Sequence, residues 1–220
     1  DSIFNITPTD LKKRHYEKEI PEIYQLENYV EENSWHRGSD VLSHTIQVLD
    51  NLDKILEFEE FDEALKTHFN TILAKRIGDI NRSELLRVAA LYHDIGKPTC
   101  HIPSADGGTY SPTHAQLGSV LTKNYIQKFD FNLPQIRHIQ KIVEYHDFII
   151  DIQNHVIKKA AKKNFFYNLY LQITKEIQPE LSLLYLADLR ASDLFEEKPK
   201  EYENRQKLLF DFFHFLLTKQ

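Results

Sequence analysis

The 220-residue sequence has one cysteine, no methionine, only six glycines and no long apolar run. Because Cys100 has no second thiol to pair with, an internal disulfide is excluded and a reducing compartment is expected. No apolar stretch approaches the ~18 residues that a membrane span needs, and the segment DSIFNITPTD shows no signal-peptide pattern. We therefore expect a cytoplasmic protein with no membrane partner.

Positive charge is also scarce, since the net charge is −6. This disfavours a broad nucleic-acid-binding surface, because duplex affinity comes largely from Lys and Arg that neutralise phosphates. Two basic runs, LKKRH (11–15) and KKAAKK (158–163), are more typical of solvated helix faces than of phosphate tracks. The composition is compatible with a nucleotide, or a nucleic-acid end carrying phosphate, as the partner, and it leaves the oligomeric state open.

Low glycine content and long runs rich in Leu, Ile, Lys and Glu favour helices, and no segment alternates with period two. We predict an all-α fold in one domain, 1–220, with a core at about 20–195 and a closing amphipathic helix at about 200–218. Pro21, Pro134 and Pro179 mark helix starts. We expect a polar linker at 58–80, an irregular loop at 99–110 and one helix at about 155–176.

Histidine and aspartate occur on helix faces that are otherwise apolar. His44 follows the cap candidates Ser39 and Asp40 and shares its face with Val41 and Val48. The helix before His93 and Asp94 begins at a capping-box pattern, Asn81 to Glu84, and is expected to end at Gly96 and Pro98, so the doublet falls in the last turn. His114 and Gly118 share a face of a helix expected to start at Ser111-Pro112. His146 and Asp188 occupy inward positions on two later helices.

Several inward His and Asp residues are costly together, because each desolvated polar group costs about a few kcal/mol unless a partner compensates. One bound cation would compensate all of them, and imidazole and carboxylate ligands suit Mn, Fe, Ni or Zn. For each residue alone, an ordinary core histidine or hydrogen-bonded aspartate is the alternative interpretation. The residues by themselves leave these two interpretations open.

The ordered set His44, His93-Asp94 and Asp188 resembles the HD superfamily of metal-dependent phosphohydrolases, which is named for the His-Asp doublet. More narrowly, LYHDIGKPTCHIPSADGGTYSPTHAQLGSVL, WHRGSDVLSHTIQVLDNL and LYLADLRAS resemble the HD domain attached to bacterial tRNA CCA-adding enzymes and related poly(A) polymerases. The nucleotidyltransferase head of those enzymes has no counterpart in this sequence, so nucleotide addition is not implied. The resemblance spans about 20–195 and implies an HD-domain helical bundle with ligands from several helices.

The resemblance also implies a site. A divalent transition metal is expected as a dinuclear centre of Mn, Fe or Ni, with Mg or Zn as other options. The implied ligands are His44, His93, Asp94 and Asp188 for one ion, and Asp94, His114 and His146 for the other. Asp94 would bridge, and Lys97 would bind the substrate phosphate; the alternative for Lys97 is a last-turn lysine favoured by the helix dipole. The implied function is hydrolysis of nucleotides or RNA-end phosphates, as a 2′,3′-cyclic phosphodiesterase and phosphomonoesterase that uses metal-activated water.

Two other hypotheses remain at this stage. The chain could be a catalytically weak HD-fold module that binds tRNA or a protein partner and keeps a structural metal, or a dinucleotide or cyclic-nucleotide hydrolase of another HD branch. Among nearby polar residues, His36 and His101 are weaker candidates for the site. We expect Asp147 and Asp193 to lie outside it, and Arg190 to be a surface or interhelix partner.

Overall fold

The computed structural model describes residues 3–219, and positions 1, 2 and 220 of the predicted domain lie outside this range. The helices run Pro8–Lys12 (α1), Pro21–Tyr24 (α2), Val41–Ile55 (α3), Glu63–Leu73 (α4), Arg82–Tyr92 (α5), Lys97–Cys100 (α6), His114–Ile126 (α7), Leu133–Tyr145 (α8), Phe148–Lys158 (α9), Lys163–Thr174 (α10), Gln178–Ala191 (α11), Leu194–Glu197 (α12) and Pro199–Leu217 (α13). Short 3-10 turns occupy Ile3–Asn5, Gln25–Asn28 and Ala160–Lys162. The predicted all-α class is confirmed.

Strands occur within residues 3–219 only as short antiparallel pairs. They are Val30–Glu32 (β1) with Arg37–Asp40 (β2), Arg76–Ile77 (β3) with Ile80–Asn81 (β4), and Ile102–Pro103 (β5) with Thr109–Tyr110 (β6). Sequence reasoning missed all three hairpins, because strands of two to four residues are too short to show period-two alternation. The expected irregular loop at 99–110 therefore contains the end of α6 and a hairpin.

Several predicted boundaries differ from the structure. The expected linker at 58–80 contains α4, which Asp62 caps by accepting a hydrogen bond from the backbone N–H of Leu65. The expected helix at 155–176 is two helices, because Lys159 leaves the helical region with φ −140° and ψ 60°. The expected start at Ser111-Pro112 is wrong: Thr113, with a left-handed φ of 62°, precedes α7, which begins at His114.

Other expected helix ends are confirmed. Asn81 and Glu84 form the predicted capping box of α5, and Asp40 caps α3 by accepting from the backbone N–H of Ser43 at 2.8 Å. The doublet His93-Asp94 directly follows the last residue of α5 and lies in a tight turn rather than inside the helix. Pro98 stands in the first turn of α6, so it opens a short helix instead of following one that has ended.

The site lies where several helix ends meet. Helix α3 packs against α11, α5 packs on both α3 and α8, and α8 packs on α7. Leu49, Leu86, Ile139 and Leu184 are buried between these helices. Because α3 and α7 begin, and α5 and α8 end, at the same end of this bundle, the polar residues at those termini are brought together. No helix within residues 3–219 has both the length and the apolar character to cross a membrane.

A buried ionic cluster ties three of these helices together. Glu180 of α11 accepts hydrogen bonds from Arg82 of α5 at 2.7 Å and from the ring of His138 of α8 at 2.9 Å. Burial on its own would raise the pKa of the Glu180 carboxyl, but the bonds from His138 and Arg82 outweigh it and hold that pKa below 4.5. The carboxylate is therefore charged and paired at neutral pH.

Replacing Glu180 by glutamine should lower the free energy of unfolding by about 2 kcal/mol at pH 7, since charge-assisted hydrogen bonds are lost. A carboxyl whose pKa is lower in the folded state stabilises the protein above its unfolded pKa, and this stabilisation is lost as the pH falls through the folded pKa. The difference in the free energy of unfolding between wild type and variant, measured with urea, should therefore be constant near neutral pH and become smaller below about pH 4. Glu176→Gln, which removes an exposed partner of Lys141, is the control; a difference independent of pH would contradict the assignment.

Candidate metal centre

The predicted ligands converge on one open cavity of about 280 Å³. Asp94, Lys97, His114, His146 and Asp188 contribute to its lining. His44 and His93 are buried beside them. Of the residues predicted for the site, all seven are therefore brought together, from the ends of α3, α5, α7, α8 and α11 and the start of α6.

One group of candidate ligands consists of His44, His93 and Asp188, whose ligand atoms all lie within 4.8 Å of one another. The Nε2 atom of His44 is 2.9 Å from Oδ1 of Asp188. Burial would raise the pKa of Asp188, but the adjacent His44 ring outweighs it and lowers that pKa. Asp188 is thus held as a carboxylate at physiological pH.

A second group consists of Asp94, His114 and His146, again with all ligand atoms within 4.8 Å. The Nε2 atoms of His114 and His146 are 3.2 Å apart. Both histidines stand at helix ends, since His114 opens α7 and His146 caps α8. Two helices that pack side by side therefore present these rings at the same end.

The Asp94 carboxylate, itself part of the second group, lies between His114 and His146 on one side and the first group on the other. Its Oδ2 atom is 3.2 Å from Nε2 of His93 and 3.6 Å from Nε2 of His44. Its Oδ1 atom is 3.3 Å from Nε2 of His114 and 3.7 Å from Nε2 of His146. The two oxygens of one side chain thus face different groups, which is the arrangement that a bridging carboxylate needs.

The tautomers of three histidines suit metal binding. Nδ1 of His93 lies 2.7 Å from the carbonyl oxygen of Ala90, and Nδ1 of His146 lies 2.7 Å from that of Val143. His114 makes the same contact with the carbonyl oxygen of Ser111 at 2.9 Å. A carbonyl oxygen can only accept, so Nδ1 donates, and Nε2 is the nitrogen whose lone pair would bind a metal ion once any proton on it is displaced. Each lone pair points into the site rather than into the backbone.

The residues present fit a divalent metal. Metal–ligand bonds of about 2.0–2.1 Å place neighbouring ligand atoms about 2.9–3.4 Å apart. The pairs His44–Asp188, His93–Asp94, His114–Asp94 and His114–His146 lie at 2.9, 3.2, 3.3 and 3.2 Å. In addition, Nε2 of both His44 and His93 is buried without a hydrogen bond of acceptable geometry in the described residues. Buried polar atoms left in this way are compensated by a cation.

The electrostatic potential of the site also favours a cation. Burial should lower the pKa of His93, yet the negative charge of the adjacent Asp94 raises it to about 9. The pKa of Asp94 is well below its usual range, since burial is outweighed by the charges of His93 and Lys97. The pKa of His146 is lowered by burial. A site that keeps two carboxylates ionised and draws protons onto a buried imidazole has a negative potential.

Lys97 is buried in the site rather than solvated at a helix end. Its Nζ atom lies 2.8 Å from Oδ2 of Asp94 and donates to Oε2 of Glu31 at 2.9 Å. Although burial opposes it, the charges of Asp94 and Glu31 raise the pKa of Lys97, so the side chain stays cationic. Lys97 also lines the cavity, where it presents a positive charge to any anion that enters. Sequence reasoning missed Glu31, because β1 precedes the ligands by many residues and has no helical alignment with them.

His36 and Asp147 also line the cavity. The His36 ring centroid lies 4.4 Å from that of His44, and burial with the charge of His44 lowers the His36 pKa to about 4, so this ring is neutral at pH 7. The expectation that Asp147 lies outside the site is wrong: its carboxylate oxygens are 3.2 Å from Nε2 of His114 and 3.4 Å from Nε2 of His146. His146-Asp147 is a second His-Asp doublet after His93-Asp94, and this repetition is the sequence signal that could have predicted Asp147 in the site.

The remaining candidates lie away from the cavity lining. His101 contacts the hydroxyl of Ser111 at 3.3 Å and the ring of Tyr29. Arg190 forms a two-pronged ion pair with Glu60 in the connection between α3 and α4, which agrees with the expected surface role. Asp193 accepts a hydrogen bond from the backbone N–H of Arg37 at 2.6 Å and so holds β2. It does not line the cavity, which agrees with its expected position outside the site.

Residues 41–193 match the sequence model of the family described as HD domain. The match spans more than half of the sequence, and this chain belongs to the HD domain family. HD domains are generally metal-dependent phosphohydrolases, and the two His/Asp groups suit a divalent metal. The chain is also similar to the bifunctional uridylyltransferase/uridylyl-removing enzyme of Vibrio atlanticus (strain LGP32), with 23% identity over 175 residues.

That alignment covers 78% of this chain but 17% of the Vibrio enzyme. The chain therefore spans about a sixth of the length of this relative, whose activities as a whole do not transfer. The narrower resemblance to the HD domain of CCA-adding enzymes stays a prediction, as do the single-domain division and the ligand role of each residue. The family membership and the helical fold are confirmed.

Proposed function

We propose that this chain hydrolyses phosphate esters of nucleotides or RNA ends, as a 2′,3′-cyclic phosphodiesterase and phosphomonoesterase. The observation that supports this best is the pair of three-ligand groups beside an open cavity. Asp94 belongs to one group, and its second carboxylate oxygen faces the other. A dinuclear centre suits phosphate-ester hydrolysis more than a purely structural metal, which is normally enclosed by its ligands. A nucleotide or phosphate-bearing nucleic-acid end is the proposed partner, and the single thiol, Cys100, supports a cytoplasmic location.

His44, His93 and Asp188 would hold one ion, His114 and His146 the other, and Asp94 would bridge them. Nitrogen and oxygen donors without thiolate favour Mn, Fe or Ni, with Mg or Zn as other options. The bound ions would supply Lewis-acid activation of a water molecule and neutralise charge on a phosphoryl oxygen. The protein would contribute the fixed orientation of the ligands, which the carbonyl contacts of His93, His114 and His146 provide.

Lys97 would bind the substrate phosphate. Its ammonium group is cationic and lines the cavity, and Asp94 and Glu31 hold it on two sides. Neutral His36 can donate one hydrogen bond without adding charge, and Asp147, on the opposite side near His114 and His146, is partly exposed to the cavity. Lys97, a charged donor beside the Asp94 carboxylate, would bind an anionic ester while the metal ligands stay in place.

The direct test is to incubate the Mn²⁺-loaded protein with 2′,3′-cyclic AMP and to separate the products by chromatography. We expect a monophosphate, and then adenosine if the phosphomonoesterase step also occurs. Whether the 2′- or 3′-monophosphate appears identifies the bond that breaks. Bound metal without turnover of cyclic nucleotides, monophosphates or RNA ends would instead favour the alternative, a binding module for tRNA or a protein that keeps a structural metal.

Uridylyl removal is a second candidate, because the name of the Vibrio relative includes a uridylyl-removing activity. Removal of a uridylyl group breaks a phosphodiester bond, so the same site could serve. Uridine 5′-(p-nitrophenyl phosphate) offers a chromogenic phosphodiester of this kind. Faster release of p-nitrophenol from this ester than from its adenosine counterpart would favour the second candidate over the first.

Replacing Lys97 by methionine should lower kcat/KM by about tenfold or more, because a charged hydrogen-bond donor to the phosphate is lost while the apolar stem is kept. Steady-state kinetics and metal content should be measured together, with metal content unchanged. Lys54→Met removes an exposed lysine paired with Asp50 and serves as the control. If Lys97→Met instead lost its metal with little change in KM, the lysine would act by holding Asp94 rather than by binding substrate.

A further inference from the structure

The lining of the cavity beside the metal-ligand groups combines two kinds of side chain. Asp94, Lys97 and His114 are ionisable. Trp35 and Tyr110 are large and aromatic. The volume of about 280 Å³ is just below the range of about 300–1,000 Å³ of typical small-molecule sites. Such a cavity suits a ligand of modest size that has a phosphate at one end and a flat, partly apolar group at the other.

Trp35 is held rigidly at the connection between β1 and β2. Its backbone N–H donates to Oδ1 of Asn33 at 2.8 Å, and its carbonyl oxygen accepts from the backbone N–H of Asp193 at 2.8 Å. The guanidinium of Arg205 lies over the ring, 5.1 Å from its centroid, and Arg205 is itself bound by Asn154 and Glu201. Trp35 thus presents a fixed aromatic surface, and little rotamer freedom would be lost when a ligand binds it.

Tyr110 belongs to a different hairpin that is fastened to the first. The Thr109 hydroxyl accepts a hydrogen bond from the backbone N–H of Glu32 at 2.8 Å, and a Cβ atom at Gly108 would overlap the carbonyl oxygen of Glu32. The position of β6 against β1 is therefore fixed at the cavity wall. Even so, Tyr110 is 49% exposed and forms no side-chain hydrogen bond within residues 3–219. A large aromatic ring that lines a cavity without a protein partner is available for a ligand.

We propose that Trp35 and Tyr110 bind the nucleobase of the substrate by stacking, so that the two hairpins determine specificity for nucleoside phosphates. This inference rests on the proposed function, in which Lys97 and the bound metal would take the phosphate. Stacking on aromatic side chains accepts any base, because every base has a π-face. The recognition is therefore for a nucleoside as a class, with no selection of one base.

The test uses the fact that Trp35 is the only tryptophan of the chain. The Mn²⁺-loaded protein is titrated with adenosine while the tryptophan emission is followed. Adenosine should change this emission saturably, and Tyr110→Ala should raise its Kd about tenfold, the loss expected for one stacking ring. Tyr110→Phe, which keeps the ring, should leave the Kd unchanged. Phe165→Ala removes an aromatic ring that is 62% exposed elsewhere on the protein and is the matched control.

A parallel calorimetric titration with ribose 5-phosphate separates base recognition from phosphate recognition. Its Kd should be the same in wild type and Tyr110→Ala, because it has no base. An adenosine Kd that does not respond to Tyr110→Ala would overturn the proposal, and so would a tenfold loss of ribose 5-phosphate affinity in that variant. Adenosine has no phosphate ester, so its binding is independent of hydrolysis: a protein that binds adenosine as described but hydrolyses no ester would disprove the proposed function and not this inference.

Discussion

Replacing Asp94 by alanine should abolish metal binding by both groups of ligands and lower phosphate-ester hydrolysis by more than about 100-fold. The expected loss exceeds the 10- to 100-fold range typical of outer-shell partners of a metal, because Asp94 would be a direct ligand of both ions. Its Oδ2 atom faces His93 and its Oδ1 atom faces His114. Removing it would also leave Lys97 with one carboxylate partner, Glu31.

Metal content per chain, measured by plasma mass spectrometry after dialysis, should fall from two ions to none in Asp94→Ala. The control is Asp50→Ala, which removes an exposed carboxylate paired with Lys54 and should keep both ions. His114→Ala should keep one ion, because the group of His44, His93 and Asp188 would remain together with Asp94, whose Oδ2 atom faces that group. An Asp94→Ala protein that retains two ions and full activity would refute the bridging assignment, and a wild type with one ion would make the centre mononuclear.

Metal removal should itself lower stability. The ligand atoms of His44 and His93 are buried without good hydrogen bonds, so a bound ion would stabilise the folded state over the unfolded chain. The melting temperature should therefore rise when Mn²⁺ is added back to chelated wild type. Addition of Mn²⁺ should not change the melting temperature of Asp94→Ala. The melting temperature and the metal content would then both report on the same site.

Replacing Gly96 by alanine should destabilise the protein by about 3 kcal/mol or more and should disturb metal binding as well. A Cβ atom there would overlap the carbonyl oxygen of His114 and would lie 2.6 Å from the backbone nitrogen of Gly118. Both obstacles are backbone atoms, so relief requires α7 to move away from the turn that carries His93 and Asp94. Overpacking of this kind costs about 1–3 kcal/mol even where side chains can adjust.

Gly118→Ala is the matched comparison, since it makes the same substitution on the other side of the contact. Its Cβ atom would approach Gly96 and Val143 at 3.3 Å, a tight distance that small shifts relieve. Thermal unfolding should therefore rank both wild type and Gly118→Ala well above Gly96→Ala. Equal stability of the two variants would show that the turn and α7 can separate without cost.

The inward-facing positions of the candidate ligands could be predicted from the sequence because helical periodicity is a local property, whereas their role as ligands is what the resemblance to the HD superfamily implies. His44 and Asp188 align with apolar neighbours on their own helices, and the doublet His93-Asp94 follows a capping-box helix of ordinary length. Gly118, which the sequence places on the same face as His114, lies against the turn at Gly96. Each of these inferences needed only residues within a few turns of one another.

Other parts of the site depend on residues that are distant in the sequence. Glu31 contacts Lys97 from β1. Asp147 lies just after the end of α8 and contacts His114 at the start of α7. The start of α7 was misplaced because the left-handed conformation of Thr113 is not encoded by a residue type that favours it. The hairpins that position Trp35 and Tyr110 were missed because their strands are too short to show a pattern.

The sequence by itself determined the helical class, most of the buried faces and the identity of the metal-ligand candidates, since hydrophobic periodicity and residue chemistry are properties of short segments. Only the tertiary structure decided that five helix termini meet at one point, that the two oxygens of Asp94 face different histidine groups, and that Lys97 is buried between two carboxylates. The physical reason is that these relations are set by packing between helices and hairpins that are far apart in the chain. The close backbone contact of Gly96 with His114 is one example, since it fixes the relative positions of the side chains on both segments.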